Sequence, residues 1–272
     1  MKAMILAAGL GTRLRPLTDD RPKALVKING RTLLQVTIER LAASGVREII
    51  VNVHHFADKV ADYLKSHNNF GLLIEISRED DLLLDTGGGL KKAAWFFLEG
   101  SERNDEPFLL HNVDVISDIN FTRMLEHHNK NHALATLAMQ ERKSSRQLLF
   151  DDDLQLIGRR VDGNDEMAAQ SAASITSSET RKPSSASPLV YPESRRATSH
   201  SPLLPLAFSG IHILSPRIFP LLTESTPAFS IIDSYLRLAA QGHKILAFRH
   251  DGSYWRDLGR PADLAQAARD LH

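Results

Sequence analysis

Small residues and cations are closely spaced in one segment near the start of the chain, "ILAAGLGTRLRPLTDDRPKAL" at residues 5–25. Four small residues follow its first apolar run: Ala7, Ala8, Gly9 and Gly11. Without bulky side chains, the backbone N–H groups here can approach a ligand closely. Arg13 can clamp phosphate oxygens through two parallel hydrogen bonds, and Lys23 can act as a mobile point charge. The segment therefore indicates a phosphate-binding loop.

This loop departs from both common phosphate-loop patterns. The dinucleotide fingerprint needs a third glycine where Leu14 stands, and the Walker loop needs a Gly-Lys-Ser/Thr ending that is absent. Isolated glycine motifs often mislead, so an ordinary glycine turn with solvated cations is an alternative at this point. Other polar or charged residues of the chain are needed to distinguish a phosphate-binding loop from an ordinary turn.

Two acidic residues lie in positions that suit a metal ion. Asp114, in "HNVDV", follows a predicted core strand, and open α/β sheets bind ligands beyond the carboxyl ends of such strands. Asp257, in "GSYWRDLGRP", follows an aromatic pair and precedes a glycine. Taken separately, each aspartate could be a cap or turn residue. Together with the cationic loop they match Mg²⁺, which takes a few carboxylates plus substrate phosphates.

Strands and helices alternate along the chain and must position these residues. Buried-strand patterns cover Met1–Ala7, Val46–Val53, Leu72–Ser77 and Phe108–Val115. Helical patterns cover Thr32–Gly45, Ala57–His67 and Thr86–Gly100. The same alternation continues through "FTRMLEHHNKN", "HALATLAMQ", "LAFSGIHIL", "SIIDSYLRLAAQG", "KILAFRH" and "PADLAQAARDL". This order predicts a doubly wound α/β fold with a mostly parallel, mixed sheet.

The amino-acid composition changes between residues 162 and 205. This stretch is rich in Ser, Pro and Ala and has few large apolar residues, so it cannot bury enough surface to offset its ordering entropy. We expect a mobile insertion within a single domain spanning residues 1–272. Residues 1–161 would carry the phosphate loop and the first acid, and residues 206–272 the second acid. A lid or partner-docking role for the insertion is an alternative to a tolerated insertion.

Composition narrows the class of protein. Lys plus Arg and Asp plus Glu both number 33, so a generally basic nucleic-acid-binding surface is not expected. The chain has no cysteine, which excludes disulfides and thiolate metal sites and suits a reducing compartment. The first apolar run is too short for a signal sequence or a membrane span. We expect a cytoplasmic protein with no membrane or nucleic-acid partner, as a monomer or small homo-oligomer.

Three motifs together resemble the sugar-1-phosphate nucleotidyltransferases: "LAAGLGTRLRPLTDDRPKAL", "HNVDV" and "YWRDLGRPADL". The family pattern runs G-x-G-T-R-L-x-P-L-T, P-K-P-L, a strand ending in N-G-D, and W-x-D-x-G-T-P. The resemblance covers nearly the whole chain outside the Ser/Pro-rich stretch and implies a Rossmann-like nucleotidyltransferase fold. Within the family, "LLLDTGGGLKKA" is similar to the L-E-T-G-G-G segment of N-acetylmuramic acid 1-phosphate uridylyltransferases. Mannose-1-phosphate guanylyltransferases more often have G-T-A-G there.

The resemblance also implies a role for each matching residue. Nucleotide binding is implied for Ala7, Ala8, Gly9, Gly11, Thr12, Arg13 and Gly88. Ala7 and Ala8 would line the base, and Gly88 would border the base or the ribose. Contacts to the sugar phosphate are implied for Asn112 and Gly210.

The implied reaction is a single in-line displacement. An oxygen of the sugar-1-phosphate attacks the α-phosphorus of a nucleoside triphosphate, with UTP expected, and pyrophosphate leaves. The implied catalytic residues are Arg13, Lys23 and Asp114, and Mg²⁺ would be held by Asp114 and Asp257. The attacking oxygen is already anionic, so the reaction needs no protein general base.

Several departures from the family pattern leave alternatives open. Val113 replaces the glycine of N-G-D, Asp85 replaces the glutamate of L-E-T-G-G-G, and no E-K-P segment follows the middle strand. These changes bear on the sugar and the base, so GTP with mannose-1-phosphate, or CTP with another phosphorylated small molecule, remain alternatives. Val113 and the long insertion also motivate a different class of protein, a non-catalytic nucleotide-binding regulatory subunit.

Overall fold

The structure is a computed structural model and describes residues 1–99, 105–168 and 203–270. The strands are β1 Lys2–Leu6, β2 Lys27–Ile28, β3 Arg31–Thr32, β4 Glu48–Val53, β5 Leu73–Arg78, β6 Phe108–Asn112, β7 Val115–Ser117, β8 Ala135–Gln140, β9 Arg146–Phe150, β10 Leu156–Val161, β11 Asn164–Met167, β12 Leu204–Leu214, β13 Ile245–Arg249 and β14 Trp255–Asp257. The α-helices are α1 Leu33–Ala43, α2 Ala57–Ser66, α3 Asp85–Lys92, α4 Ala94–Leu98, α5 Phe121–Lys130, α6 Ile231–Ala240 and α7 Pro261–Asp270. None of these helices is long and apolar enough to cross a membrane.

A mixed sheet forms the centre of the fold. Strands β5, β4, β1 and β6 lie side by side in parallel, and β12 joins the edge of β6 in the antiparallel direction. Strand β8 pairs with β12, and β13 runs parallel to β8. The predicted mostly parallel, mixed sheet with helices is therefore confirmed.

The first strand shows why this sheet is central. Ala3, Met4 and Ile5 are completely buried, as expected for a parallel strand covered on both faces. Successive side chains of a strand point to opposite faces. Accordingly, Ala3 and Ile5 belong to one hydrophobic cluster and Met4 to another.

Helix α1 illustrates how the predicted helices form. The Thr32 hydroxyl accepts a hydrogen bond from the Gln35 N–H and so caps the first turn. Leu34, Ile38 and Leu41 follow at helical spacing and are fully buried. The structure ends the helix at Ala43, close to the predicted stop at Gly45.

Two predicted elements are broken in the structure. The strand expected over Phe108–Val115 stops at Asn112, and Val113 and Asp114 form a turn before β7. The described part of the helix expected over Thr86–Gly100 consists of α3 and α4, which separate at Ala93.

Residues near both ends of the expected insertion belong to strands in the structure. Strand β11 pairs with β10 in an antiparallel ladder, and Leu204 and Pro205 pair with β9. Strands β9, β10 and β11 were not predicted. Residues 169–202, which include most of the expected insertion, lie outside the described part of the chain.

A short two-stranded ribbon links the two predicted acidic motifs. Strand β14 pairs with β7 in the antiparallel direction, and Asp257 stands opposite Val115. The Leu258 N–H donates to the carbonyl oxygen of Asp114 at 2.7 Å. This ribbon brings the second acid next to the first.

Candidate active site

A cleft of about 570 Å³, here called the central cleft, lies at the carboxyl ends of β1, β4 and β6. Its walls include the glycine loop (residues 7–13), segment 83–86 before and at the start of α3, and the turn after β6. Leu6 stands between Asn52 of β4 and Asn112 of β6 in the sheet register. This is the edge at which open α/β sheets bind ligands.

At one position of the glycine loop a side chain would be strained. Gly11 has a positive φ of 66°, and a Cβ added to it would lie 3.0 Å from Thr18 Cγ2 and 3.1 Å from Lys23 Cβ. The Thr18 hydroxyl donates to the Gly11 carbonyl at 2.9 Å, which fixes this turn. At Gly9, by contrast, an added Cβ would meet no atom within 4 Å, so this part of the loop faces open space.

Lys23 and Asp114 form an ion pair at the cleft. Lys23 reaches it from a short 3₁₀ turn at residues 23–25, and Asp114 comes from the turn after β6. The two side chains are only 10% and 19% exposed, so their mutual attraction is weakly screened by solvent. The structure thus brings together two of the residues predicted to be catalytic.

The side-chain ends of Arg13 and Asp257 both lie close to Gly259. A Cβ added to Gly259 would lie 2.6 Å from Asp257 Oδ1 and 2.7 Å from Arg13 Nη2, so a side chain here would displace the ends of both groups. Burial raises the pKa of the Asp257 carboxyl, and the negative charge of Asp114 raises it further, whereas Lys23 and Arg13 oppose the rise. This effect of the Asp114 charge agrees with the β7–β14 ribbon, which brings Asp257 next to Asp114.

The donor set of this region fits a hard divalent cation. Two carboxylates supply oxygen ligands, and their repulsion would be relieved by a cation between them. In the described part of the chain, no three His, Cys, Asp or Glu side chains gather into a metal site. A cation here would therefore complete its coordination with water or with phosphate oxygens of a ligand.

Asn112 and Gly210 lie against each other. Gly210 adopts a positive φ of 74° at an irregularity in the pairing of β12 with β8. A Cβ added to Gly210 would lie 2.8 Å from Asn112 Nδ2. Asn112 and Val113 line the cleft. Gly210 does not line it but packs against the Asn112 side chain. The Val113 N–H donates to the Leu6 carbonyl, so the start of the turn after β6 remains bonded to β1.

Gly88 does not line the central cleft. It is buried, and a Cβ added to it would lie 2.1 Å from the carbonyl oxygen of Pro227. The close packing of α3 against this backbone accounts for a glycine at residue 88. Asp85 and Thr86 of the same segment line the cleft instead, and Asp85 adopts a positive φ of 58°.

Sequence reasoning missed Asn52 and Glu79. Asn52 lines the cleft near the carboxyl end of β4, and its Oδ1 accepts the N–H of Ala7 at 2.8 Å. The Ala7 N–H, expected to be free for a ligand, is therefore already bonded. Asn52 could have been found by the rule that indicated Asp114, since both are polar residues where a core strand ends.

Comparison with known proteins identifies the group to which this arrangement belongs. A profile of the family described as nucleotidyl transferase matches residues 2–148. The chain belongs to the nucleotidyltransferase family. The resemblance inferred from the three sequence motifs is thereby confirmed, and so is the expectation of a nucleotidyltransferase enzyme.

Relatives of this nucleotidyltransferase extend over its full length. An N-acetylmuramate alpha-1-phosphate uridylyltransferase of Caulobacter vibrioides is 32% identical and aligns with 98% of this chain and 96% of its own. A mannose-1-phosphate guanyltransferase of Yarrowia lipolytica is 28% identical over 97% of this chain, which spans 62% of that protein. The crystal structure of HddC from Yersinia pseudotuberculosis with GMP-PN shares the fold, with a TM-score of 0.69, 22% identity and coverage of 100% and 99% of the two chains.

Proposed function

We propose that this protein transfers a nucleotidyl group to a sugar-1-phosphate, with UTP as the nucleotide. A phosphate oxygen of the sugar-1-phosphate forms a bond to the α-phosphorus of UTP. The bond between that phosphorus and the oxygen bridging to the β-phosphorus breaks in line, and pyrophosphate departs with the bonding electrons. The products are a UDP-sugar and pyrophosphate, and no proton changes place.

The side chains of the central cleft suit the charges of this reaction. Arg13 can clamp the oxygens of the leaving pyrophosphate with two hydrogen bonds. Lys23 lies at the Asp114 end of the cleft and can approach the reacting α-phosphate. Lys23 is held in place by Asp114 before substrate arrives, which lowers the cost of stabilising charge that develops during the displacement.

Asp114 and Asp257 would hold Mg²⁺. Their carboxylates share one region next to Lys23 and Arg13, and this supports oxygen coordination of a small hard cation. When bound, Mg²⁺ would neutralise phosphate charge and help align the reacting groups. Asp114 would then exchange part of its contact with Lys23 for the metal, which frees the ammonium for phosphate.

The choice of substrates rests on the Caulobacter relative, which is named an N-acetylmuramate alpha-1-phosphate uridylyltransferase. We propose the same pair of substrates here, giving a precursor for cell-wall synthesis made in the cytoplasm. The "LLLDTGGGLKKA" segment supports this choice, because Asp85 and Thr86 from it line the central cleft.

The observation that carries the proposal is that Arg13, Lys23 and Asp114 line one cleft, and that Asp257 lies at its edge beside Gly259, although the four residues come from three separate sequence motifs. The test is to incubate the protein with Mg²⁺, each of the four nucleoside triphosphates and a panel of sugar-1-phosphates, and to measure pyrophosphate release. We expect release to be fastest with UTP and N-acetylmuramic acid 1-phosphate.

The outcomes of that panel separate the alternatives. Faster release with GTP and mannose-1-phosphate, or with CTP, would replace the nucleotide and the sugar but keep the reaction. Nucleotide binding without release from any pair would favour a regulatory subunit and overturn the enzymatic proposal. Omission of Mg²⁺, with a chelator present, should abolish release, and undiminished release would remove the metal from the proposal.

A further inference from the structure

Two buried polar side chains, Asn52 in the lining of the central cleft and Glu79 outside that lining, take no part in the proposed reaction. Asn52 is 2% exposed and Glu79 is 1% exposed. A buried carboxylate is costly unless its oxygens are hydrogen-bonded. Each of these side chains has defined partners, so their place in the fold is specified by contacts.

The contacts form a relay between two walls of the cleft. The Ala7 N–H donates to Asn52 Oδ1 at 2.8 Å, and Asn52 Nδ2 donates to Glu79 Oε1 at 2.7 Å. The other carboxylate oxygen, Glu79 Oε2, accepts the N–H of Leu84 at 2.8 Å. One end of the relay is therefore the first residue of the glycine loop, and the other end lies in segment 83–86.

The relay has little freedom to move. A Cβ added to Gly89 would lie 2.7 Å from both Asn52 Nδ2 and Glu79 Oε1, so helix α3 covers the central hydrogen bond directly. The carbonyl of Leu84 accepts the N–H of Phe229 at 3.1 Å, which ties the same wall to the loop before α6. Movement of either wall would break buried hydrogen bonds, which is expensive.

We propose that Asn52 and Glu79 are positioning residues that set the distance between the glycine loop and segment 83–86. On this view the pair fixes the width of the cleft at the point where the nucleotide enters, without touching the reacting atoms. The inference rests on the proposed function, because it assumes that both walls contact the nucleoside triphosphate. It assigns a role to Glu79, which does not line the cleft.

The polarity of the relay provides a sharp test. Glu79→Gln replaces one acceptor oxygen with an NH₂ group. That group then faces a donor, either Asn52 Nδ2 or the Leu84 N–H, and one hydrogen bond is lost. Asn52→Asp alone places two carboxylates side by side. In the double variant N52D/E79Q the central hydrogen bond can reverse: an Asp at residue 52 accepts from Ala7 N–H and from the new amide, which still accepts Leu84 N–H. The double variant keeps both the charge and the number of hydrogen bonds.

We expect each single variant to raise the KM for the nucleoside triphosphate about tenfold or more, the effect of one unpaired buried group. The KM for the sugar-1-phosphate should change less than twofold, and N52D/E79Q should restore most of the nucleotide affinity. Amide hydrogen exchange of the free protein should rise at Ala7 and Leu84 in the single variants. This second readout needs no turnover.

Tyr235→Phe serves as the matched control. It removes another buried hydrogen bond, between the Tyr235 hydroxyl and His212 Nδ1, away from the cleft. If E79Q lowers the melting temperature like Y235F but leaves the nucleotide KM unchanged, the positioning role is refuted. Absence of turnover and of nucleotide binding in the unmutated protein would instead refute the proposed function, so the two failures are distinguishable.

Discussion

Lys23 and Asp114 face each other as an ion pair in the central cleft, 91 residues apart in sequence. The pair lies where the glycine loop and the turn after β6 meet. Removing one member leaves the other charge partly buried without its partner. The effects of changing either residue therefore combine lost chemistry with a local electrostatic cost.

Asp114→Asn should lower the rate of pyrophosphate release at least about a hundredfold, because it removes a preorganised charge from the cleft. The folded structure should persist, since Asn keeps the shape of the side chain. Pyrophosphate release and thermal unfolding measure the two effects. Asp118→Asn changes an exposed acid of the same segment and should leave both unchanged. Full activity of D114N would refute the metal assignment.

Gly259→Ala should reduce activity about tenfold or more while leaving the melting temperature nearly unchanged. The added methyl group would push against the ends of the Arg13 and Asp257 side chains, which can shift without disturbing the backbone. Gly252→Ala is the control, because a Cβ there meets no atom within 4 Å. Equal activity of the two variants would show that the positions of Arg13 and Asp257 beside Gly259 are not needed.

Gly9→Ala should weaken nucleotide binding without weakening the fold. The free protein leaves open space at the Gly9 Cβ position, so the methyl group collides only with a ligand that approaches the loop backbone. We expect the KM for the nucleoside triphosphate to rise about tenfold and the melting temperature to stay constant. An unchanged KM would place the phosphates elsewhere in the cleft.

Gly88→Ala should show the reverse behaviour. Its methyl group would meet the backbone oxygen of Pro227, and we expect the free energy of unfolding to fall by about 1–3 kcal/mol. Denaturant unfolding measures this loss. A fall in nucleotide affinity with no loss of stability would restore Gly88 to the nucleotide site.

Stability should decrease in acid partly because of a buried histidine. Burial, together with the nearby His111, lowers the pKa of His212 from 6.5 to about 3. The unfolded chain therefore binds a proton that the folded chain excludes, so stability is present above about pH 6.5 and is lost as the pH falls towards 3. The contribution is about 1.4 kcal/mol per pH unit in that window.

The double variant H212L/Y235F tests this contribution, because it replaces both members of the hydrogen-bonded pair. Denaturant unfolding at several pH values should show a shallower loss of stability than in the unmutated protein. The same slope in both proteins would mean that His212 is not excluded from protonation.

The strand–helix alternation predicted much of the fold because each central element has a strong local signal. Strand β1 is continuously apolar, and α1 has a Thr32 cap and apolar residues at helical spacing. Strands β9 to β11 lack such a signal. Arg159 pairs with Glu166 and Arg160 with Asp165 across the ladder of β10 and β11, so these strands are stabilised by charged pairs that an apolar pattern does not reveal.

Sequence reasoning identified the site residues whose chemical type alone suggests a role. Arg13, Lys23 and Asp114 are charged and follow a recognisable pattern, and all three line the cleft. Glu79 could not be assigned in this way, because its importance comes from contacts with Asn52 and Leu84 that only the folded chain creates. Gly88 was predicted to bind the nucleotide because it is a glycine, but the packing of α3 against Pro227 also requires a glycine there.

The ribbon of β7 and β14 has a consequence for the order in which the protein is made. Asp257 comes next to Asp114 because β14 pairs with the chain just after Asp114. A ribosome would complete the glycine loop and the first acid long before it released the second. The nascent chain could fold much of its sheet yet lack one of its two acids, so activity would report that synthesis has passed residue 257.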